Sequence, residues 1–175
     1  MNRFRSLFLS LLGSAILLNA ERKPDVLLIM SDDMGYSDLG CFGGEIRTPH
    51  LDALGQGGIR FSNFYSENMC WVSRASLLTG VYHRTSLKDG TLHPRCVTLP
   101  EALQKDGYAT LMAGKWHLAG KAGKTIYPND RGFDRFYGIL GGASSFFAPY
   151  SLSRDRKNVE QEYRENPNYY FTRAI

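Results

Sequence analysis

The chain has 175 residues, of which 43% are hydrophobic and 22% are charged, a balance that is ordinary for a globular protein. The length suits one domain or part of a larger one. The formal net charge is +4, from 21 basic and 17 acidic residues. The first twenty residues hold Arg3 and Arg5 and no acid, so without them 19 basic residues face 17 acidic ones, an excess of +2. So small an excess does not indicate a nucleic-acid partner and favours an ordinary solvated surface.

Residues 1–20 have the order of a signal peptide. Two arginines come first, and an apolar stretch follows over residues 7–18. That stretch is short for a membrane span, and the small Ala20 precedes a charged run, so we expect cleavage after Ala20. A buried amphipathic helix is the alternative interpretation. The expectation is an exported protein, periplasmic or secreted, without stable membrane insertion and with residues 21–175 as its mature domain.

Three short segments have the pattern of strands. Residues 25–30 form a continuous apolar run, which is typical of a strand buried on both faces of a parallel sheet. Residues 59–65 alternate between apolar and polar side chains, and residues 108–113 are a third candidate.

Helix signals separate these strands. Thr48 is predicted as an N-cap ahead of Pro49, with glycines ending that helix. Thr98 and Glu101 match a capping box, and Gly107 closes the helix that follows. The alternation of strands and helices predicts an α/β fold with a largely parallel sheet flanked by helices.

Asp32 and Asp33 come directly after the first predicted strand. The carboxyl end of a buried strand is where α/β sheets bind ligands, and adjacent carboxylates favour a bound cation such as Ca²⁺ or Mg²⁺. An Asx-rich turn or a helix cap is the alternative for the pair alone.

A further helix is predicted to begin at Cys70, with Arg74 four residues later. Residues i and i+4 share a helix face, so Arg74 can lie over Cys70. The free amides and positive end of a helix start favour an anion. The pattern combines a nucleophile, a cation and an anion cradle in one turn.

Lys115 and His117 follow the third predicted strand. In an extended segment, residues i and i+2 point to the same side, so both would face one pocket while Trp116 turns away to pack. A lysine supplies positive charge, and a histidine can move a proton near neutral pH. Two solvated side chains at a strand end are the alternative.

The three cysteines, Cys41, Cys70 and Cys96, leave at least one thiol unpaired within an exported chain. Cys70 is the candidate for the unpaired thiol, and pairing between Cys41 and Cys96 stays open.

Several runs resemble sulfatase motifs, and they occur in family order over residues 23–138. The run CWVSRASLLTG from Cys70 is similar to the signature Cys-x-Pro-Ser-Arg-x-x-x-Leu-Thr-Gly, with Val72 where the family has proline. SDDMGYSDLGCFGG from Ser31 resembles the family's N-terminal metal motif, and GKWHL from Gly114 resembles its Gly-Lys-Trp-His-Leu-Gly segment. TPHLD from Thr48, with RGFD and FYG near residue 135, resembles segments that we interpret as structural.

The resemblance implies an alkaline-phosphatase-like fold and a sulfatase that uses formylglycine derived from Cys70 as its nucleophile. It implies Ca²⁺, with Mg²⁺ as the alternative, bound through Asp32, Asp33 and residue 70. It also implies that Arg74 steadies the hydrated aldehyde, that Lys115 binds sulfate and that His117 assists proton transfer. The implied partners are a sulfated small molecule or glycan and a formylglycine-generating maturase.

Two other interpretations stay open: a phosphonate or phosphate ester hydrolase of the same superfamily, and a non-catalytic truncated protein. Residues 171–175 look like the first turn of a helix that has been cut, so we expect the N-terminal portion of a longer catalytic domain. Ca²⁺ needs about six to eight oxygen ligands, and we expect this segment alone to be inactive because it supplies only part of them.

Overall fold

The computed structural model describes residues 23–120 and 125–174. The predicted signal peptide lies outside these residues. Residues 23–31 have no regular secondary structure, and their apolar side chains are exposed, with Leu27 84% exposed. The prediction of a buried strand over residues 25–30 is therefore wrong for this structure, because no described strand donates or accepts ladder hydrogen bonds along this segment.

Six α-helices and three 3₁₀ turns follow in residues 32–174 of the described chain. The α-helices are α1 Pro49–Gly57, α2 Cys70–Thr79, α3 His83–Ser86, α4 Leu99–Lys105, α5 Gln161–Arg164 and α6 Phe171–Ala174. The 3₁₀ turns are Tyr36–Asp38, Gly40–Phe42 and Pro128–Arg131.

Helix α1 begins where the sequence predicts, with Pro49 as its first residue. The side chain of Thr48 does not cap the helix. Its hydroxyl instead accepts from the Gly40 amide at 2.9 Å and donates to Asp52 at 2.8 Å, so it joins the preceding turn to the helix.

Helix α4 confirms the predicted capping box. The Thr98 hydroxyl accepts from the Glu101 amide at 3.3 Å, and the Glu101 carboxylate accepts from the Thr98 amide at 2.8 Å. Gly107, with φ of 80°, follows the helix end in the left-handed conformation that glycine adopts without strain.

The strands are β1 Leu87–Lys88, β2 Thr91–Leu92, β3 Leu111–Lys115, β4 Arg135–Ile139, β5 Leu152–Arg154 and β6 Lys157–Asn158. Strands β3, β4, β5 and β6 form one sheet in that order. The β3–β4 pair is parallel, and the other two pairs are antiparallel. The α/β class is confirmed, with a sheet that is mixed in the described part of the chain.

Two strand predictions need correction. Residues 59–65 form no strand, and Tyr65 is 87% exposed. Alternation of apolar and polar side chains allows a strand, but a strand also needs a neighbour that pairs with it by hydrogen bonds. The strand predicted over residues 108–113 is present as β3 but begins at Leu111. Thr110 is held outside the ladder because its amide and hydroxyl bind the Asp134 carboxylate at 2.8 and 3.1 Å.

The described residues contain two apolar clusters. The first comprises Ala75, Leu92, Trp116, Leu118 and Phe136 and joins helix α2 to strand β4. The second comprises Tyr137, Leu152, Val159, Tyr169 and Phe171 and packs the last helices on the other side of β4 and β5. Among the described residues, no helix is long and apolar enough to cross a membrane.

Strands β3 and β4 approach each other closely at a pair of glycines. Gly114 lies opposite Gly138 in the parallel register, and a Cβ at Gly138 would lie 1.8 Å from the Gly114 carbonyl oxygen. Any side chain at position 138 would therefore push β3, and Lys115 with it, away from β4.

We predict that Gly138→Ala lowers the free energy of unfolding by about 3 kcal/mol, because the backbone must move to accept the methyl group. Gly57→Ala in α1 is the matched control, since nothing lies within 4 Å of a Cβ there. Chemical denaturation of both variants measures the effect. Equal stability of the two variants would contradict this register.

Candidate active site

Cys70 is the first residue of helix α2, as the sequence predicts. The residue before it, Met69, is extended with φ of −147°, and its carbonyl accepts the first helical hydrogen bond from the Ser73 amide at 3.0 Å. Gly80 ends the helix in the left-handed conformation, with φ of 69°. The helix thus presents Cys70 at its amide end, where partial positive charge favours a bound anion.

Arg74 is buried, and its guanidinium joins α2 to the end of β3. Nη1 donates to the Lys115 carbonyl oxygen at 2.7 Å, and Nη2 lies 3.7 Å from an Asp32 carboxylate oxygen. Among the described residues, no hydrogen bond links Arg74 to Cys70, so the shared helix face leads the guanidinium towards β3 and Asp32 instead.

Asp32 lies between two cations. Lys115 Nζ donates to its Oδ2 at 2.6 Å, and the Arg74 contact is with its other oxygen, Oδ1. Partial burial acts to raise the pKa of Asp32, but the hydrogen bond and charge of Lys115 and the charge of Arg74 together lower it below its ordinary value. Asp32 is therefore ionised at neutral pH.

Asp33 stands apart from this group. No hydrogen bond or ion pair joins its side chain to another described residue, and its backbone is left-handed with φ of 53°. The structure therefore brings Asp32, Cys70, Arg74, Lys115 and His117 together, which we call the Cys70 cluster, and leaves Asp33 next to it in the chain.

His117 is the residue that contacts Cys70. Its Nδ1 lies 3.3 Å from the Cys70 Sγ atom. The sequence predicts an extended segment that turns Lys115 and His117 to the same side. The backbone of His117 is instead left-handed, with φ of 55°, so the predicted geometry is wrong although both residues reach the cluster. The amides of Trp116 and His117 continue the parallel pairing beyond β3, donating to the carbonyls of Ile139 and Leu140 at 2.9 and 3.2 Å. Left-handed backbone costs a bulky residue about 1 kcal/mol or more, and such strain concentrates at functional sites.

Trp116 turns away from the cluster, as predicted. It is 1% exposed and packs edge-on against Phe133, with ring centroids 6.3 Å apart. Its indole nitrogen donates to the Ile126 carbonyl at 2.9 Å. This packing holds the backbone between Lys115 and His117.

Glu67 is a residue that sequence reasoning missed. Its carboxylate accepts from Ser76 at 2.8 Å and lies 3.1 Å from His83, while its carbonyl accepts from Ser73 at 3.2 Å. The hydrogen bond from Ser76, followed by that from His83, lowers the pKa of Glu67. An acidic residue three positions ahead of the helix start was the available signal. Glu67 fixes the first turns of α2 and hence the position of Cys70.

The remaining candidates lie outside the cluster. His50 is exposed, and Arg131 is buried in an ion pair with Glu101 at 2.8 Å, which fits a structural role. Cys41 and Cys96 are free thiols, as is Cys70.

The described residues supply too few ligands for a complete metal coordination shell at this site. Within residues 23–120 and 125–174, no group of three or more His, Cys, Asp or Glu side chains is arranged to hold an ion. Asp32 and Asp33 are hard oxygen donors of the kind that Ca²⁺ prefers, and in this structure the Asp32 oxygens face Lys115 and Arg74. The donor chemistry fits Ca²⁺, and the number of donors is incomplete.

The surroundings of His117 predict its titration. Burial, followed by the positive charges of Lys115 and Arg74, lowers its pKa below the ordinary 6.5, while Asp32 acts in the opposite direction. We predict an NMR titration midpoint for the His117 ring below that value. Because the unfolded chain then binds the proton more tightly, the stability contributed by neutral His117 is complete above pH 6.5 and is lost as the pH falls through the folded pKa.

Lys115→Met should move this midpoint upwards, because it removes a positive charge and leaves Asp32 free to attract the proton. Lys105→Met, at the exposed end of α4, is the control and should leave the midpoint unchanged. A His117 midpoint above 6.5 in the unaltered chain would contradict the arrangement described here.

Comparison with known proteins assigns the chain to a family. The family model for sulfatases matches residues 24–169. The chain is 42% identical over 142 residues to an arylsulfatase of Klebsiella aerogenes, covering 73% of this chain and 30% of that protein. It is 43% identical over 146 residues to arylsulfatase A of Homo sapiens, covering 77% of this chain and 28% of that protein. The chain thus spans less than a third of the length of these curated relatives.

Solved structures also match the chain over most of its length. The crystal structure of Ps i-CgsB matches with a TM-score of 0.73 and 30% identity, over 87% of this chain and 39% of that one. A second structure of Ps i-CgsB, in complex with k-i-k-neocarrahexaose, matches with a TM-score of 0.68 and 28% identity, over 82% and 37%. On the extent of the family match and the identity to these relatives, the chain belongs to the sulfatase family.

Proposed function

We propose that the protein hydrolyses sulfate esters with residue 70 as its nucleophile. One observation carries this proposal: Cys70, at a helix amide end, lies beside His117 and within a cluster that holds two cations, the buried Arg74 and the half-buried Lys115. A sulfate ester repels nucleophiles through its oxygens, so a sulfatase needs positive charge next to the attacking atom. Membership of the family supports the same reaction.

Each residue of the Cys70 cluster has a role that its contacts support. Lys115 supplies an ammonium whose side chain is only 12% exposed, and such a desolvated charge interacts strongly with a sulfate oxygen. Arg74 holds the end of β3 and adds a second charge. His117 holds the atom at position 70 through Nδ1 and, neutral at pH 7, can accept its proton.

Two groups would complete the site. Maturation of Cys70 to formylglycine supplies a hydrated aldehyde as the nucleophile. Ca²⁺, or Mg²⁺ as the alternative, would be held by Asp32, Asp33 and residue 70 and would add positive charge against the sulfate oxygens.

The substrate class that we propose is a sulfated glycan or sulfated small molecule. One matched structure, that of Ps i-CgsB, is in complex with the oligosaccharide k-i-k-neocarrahexaose, which supports a glycan substrate. The proposed partner in maturation is a formylglycine-generating enzyme, and the predicted signal peptide supports maturation during export to the periplasm or beyond.

Val72, which stands where the family signature has proline, is compatible with the folded helix. It is 2% exposed and occupies the third position of α2, ahead of the first amide that donates within the helix, that of Ser73. Proline at this position therefore removes no helical hydrogen bond. We expect Val72 to affect the unfolded peptide that a maturase recognises. In that peptide, proline at position 72 would favour an extended conformation of Trp71, and β-branched valine favours extended geometry less strongly.

We predict that Cys70 is converted to formylglycine when the chain is co-expressed with a maturase, and that Val72→Pro raises the converted fraction. Val72→Ala is the matched control, and its fraction should fall below that of the unaltered chain because alanine lacks β-branching. Peptide mass spectrometry measures all three. The described residues supply only part of a Ca²⁺ shell, so we expect no turnover from the 175-residue chain alone. The test therefore measures the fraction of Cys70 converted to formylglycine and not enzymatic activity.

An unmodified thiol in the unaltered chain, together with full conversion in Val72→Pro, would contradict a formylglycine-dependent sulfatase. In the longer protein that we expect to contain this chain, assays with aryl sulfate, aryl phosphate and aryl phosphonate then separate sulfate ester hydrolysis from the phosphate and phosphonate alternatives. Faster hydrolysis of the phosphorus esters, with all turnover lost in Cys70→Ala, would favour those alternatives.

A further inference from the structure

Gly142 packs against the edge of the His117 ring that faces away from Cys70. A Cβ at position 142 would lie 3.0 Å from Cδ2 of the imidazole, 2.6 Å from Cε1 and closer still to Nε2. Non-bonded carbon atoms pack best at about 3.5–4.0 Å, so a methyl group here would overlap the ring. The His117 ring therefore occupies the space that any side chain at position 142 would need.

The backbone of residue 142 does not itself require glycine. Among the described residues, the glycines with left-handed backbone include Gly90 and Gly120 but not Gly142. The three heavy atoms nearest to a Cβ at position 142 all belong to the His117 ring. Contact with the imidazole, rather than backbone conformation, is thus what excludes a side chain here.

The segment from Leu140 to Gly142 also fixes the main chain of His117. The His117 amide donates to the Leu140 carbonyl at 3.2 Å, which extends the pairing of β3 with β4. On its other edge the ring reaches Cys70, with Nδ1 3.3 Å from Sγ. The same short segment therefore sets both the backbone and the ring of His117, and a displacement of the ring by residue 142 would change its distance from Cys70.

Tyr150 supports the glycine pair Gly141–Gly142. A Cβ at Gly141 would lie 2.9 Å from the Tyr150 hydroxyl oxygen and 3.2 Å from the nearest carbon of its ring, so this side chain lies directly against residue 141. The Gly141 amide also donates to the Ser151 hydroxyl at 3.2 Å. The glycine pair thus contacts Tyr150 at one residue and His117 at the next.

We propose that Gly142 is a positioning residue for His117. Its backbone supports the Nε2 edge of the imidazole and so keeps Nδ1 against the atom at position 70, while Tyr150 prevents the glycine pair from shifting away from the ring. The consequence for catalysis rests on the proposed function, in which His117 acts on residue 70. The geometry can be tested without that reaction.

The test measures nuclear Overhauser effects (NOEs) from the His117 ring protons in the isotope-labelled 175-residue chain, with Cys70 as the thiol. In the unaltered chain we expect one NOE to the α-protons of Gly142 and another to the β-protons of Cys70. Gly142→Ala should abolish the NOE to Cys70, because the methyl group displaces the ring. Gly57→Ala is the matched control and should retain both NOEs, since nothing lies within 4 Å of a Cβ there.

A second substitution distinguishes displacement of the ring from general damage to the fold. Adding Tyr150→Ala to Gly142→Ala opens space beside the glycine pair and should restore the NOE between His117 and Cys70. Adding Tyr150→Phe instead keeps the aromatic ring in place and should not restore it. The amide signal of Glu101, which is hydrogen-bonded in the capping box of α4, shows that each variant is folded.

Tyr150→Ala alone introduces no overlap and keeps the proposal testable if Gly142→Ala does not fold. It should weaken the NOE between Gly142 and His117, whereas Tyr150→Phe alone should leave it unchanged. The proposal is overturned if this NOE is absent from the unaltered chain, or if Tyr150→Ala leaves it at full intensity. It is also overturned if folded Gly142→Ala keeps the NOE between His117 and Cys70 as strong as Gly57→Ala does, or if Tyr150→Ala and Tyr150→Phe restore that NOE equally.

Failure of this proposal and failure of the proposed function are separable. An unaltered chain that shows both NOEs but is never converted to formylglycine at Cys70 contradicts the sulfatase chemistry alone. Conversion of Cys70, together with a His117 ring that Gly142→Ala does not move, contradicts the positioning role of Gly142 alone.

Discussion

The guanidinium of Arg74 connects the two elements from which the Cys70 cluster is built. It is buried, and a buried cation is costly unless hydrogen bonds and an opposite charge compensate for lost hydration. The Lys115 carbonyl provides the hydrogen bond at 2.7 Å, and the Asp32 carboxylate provides the charge at 3.7 Å. Helix α2 is thereby held at the carboxyl end of strand β3, and this position lets Cys70 at the helix start reach His117 beyond the strand end.

The backbone of β3 sets the other half of the cluster. Gly114 and Gly138 bring β3 and β4 close, and the parallel pairing runs on through the amides of Trp116 and His117. The chain then turns at His117 through a left-handed conformation. Trp116 is packed in the core, and Arg74 holds the Lys115 carbonyl. The side chain of Lys115 therefore contacts Asp32, and that of His117 contacts Cys70. Backbone that is hydrogen-bonded to β4 and to the residues after it thus presents Lys115 and His117 to Asp32 and Cys70.

Local signals in the sequence were enough for the starts of helices α2 and α4, whereas the short helices α3 and α5 were not predicted. The capping box of Thr98 and Glu101 and the start of α2 at Cys70 depend on contacts within a few residues, and both are present. Strands were less predictable, because an apolar run indicates that a segment can be buried but not which neighbour would pair with it. Residues 25–30 and 59–65 have the required patterns and form no strand here, and β3 begins late because Asp134 holds Thr110.

The cluster itself was only partly readable from sequence. Cys70 lies at a helix start and Lys115 at a strand end, as predicted. Asp32 was selected from a predicted strand that does not form here, and the resemblance to sulfatases is what supports its place in the site. Two features depend on tertiary structure: the left-handed turn at His117 and the contacts that Glu67 makes with Ser76 and His83. No pattern of residue types predicts the turn at His117. For Glu67, its position three residues ahead of the helix start was a signal, but that position does not identify Ser76 and His83 as its partners.

The most direct test of the account is a crystal structure of the chain. The account predicts the Cys70 side chain within hydrogen-bonding distance of His117 Nδ1, and the Asp32 carboxylate between Lys115 Nζ and the Arg74 guanidinium. A structure in which Cys70 lies on the opposite edge of the sheet from Asp32, with the Arg74 guanidinium in solvent, would contradict it.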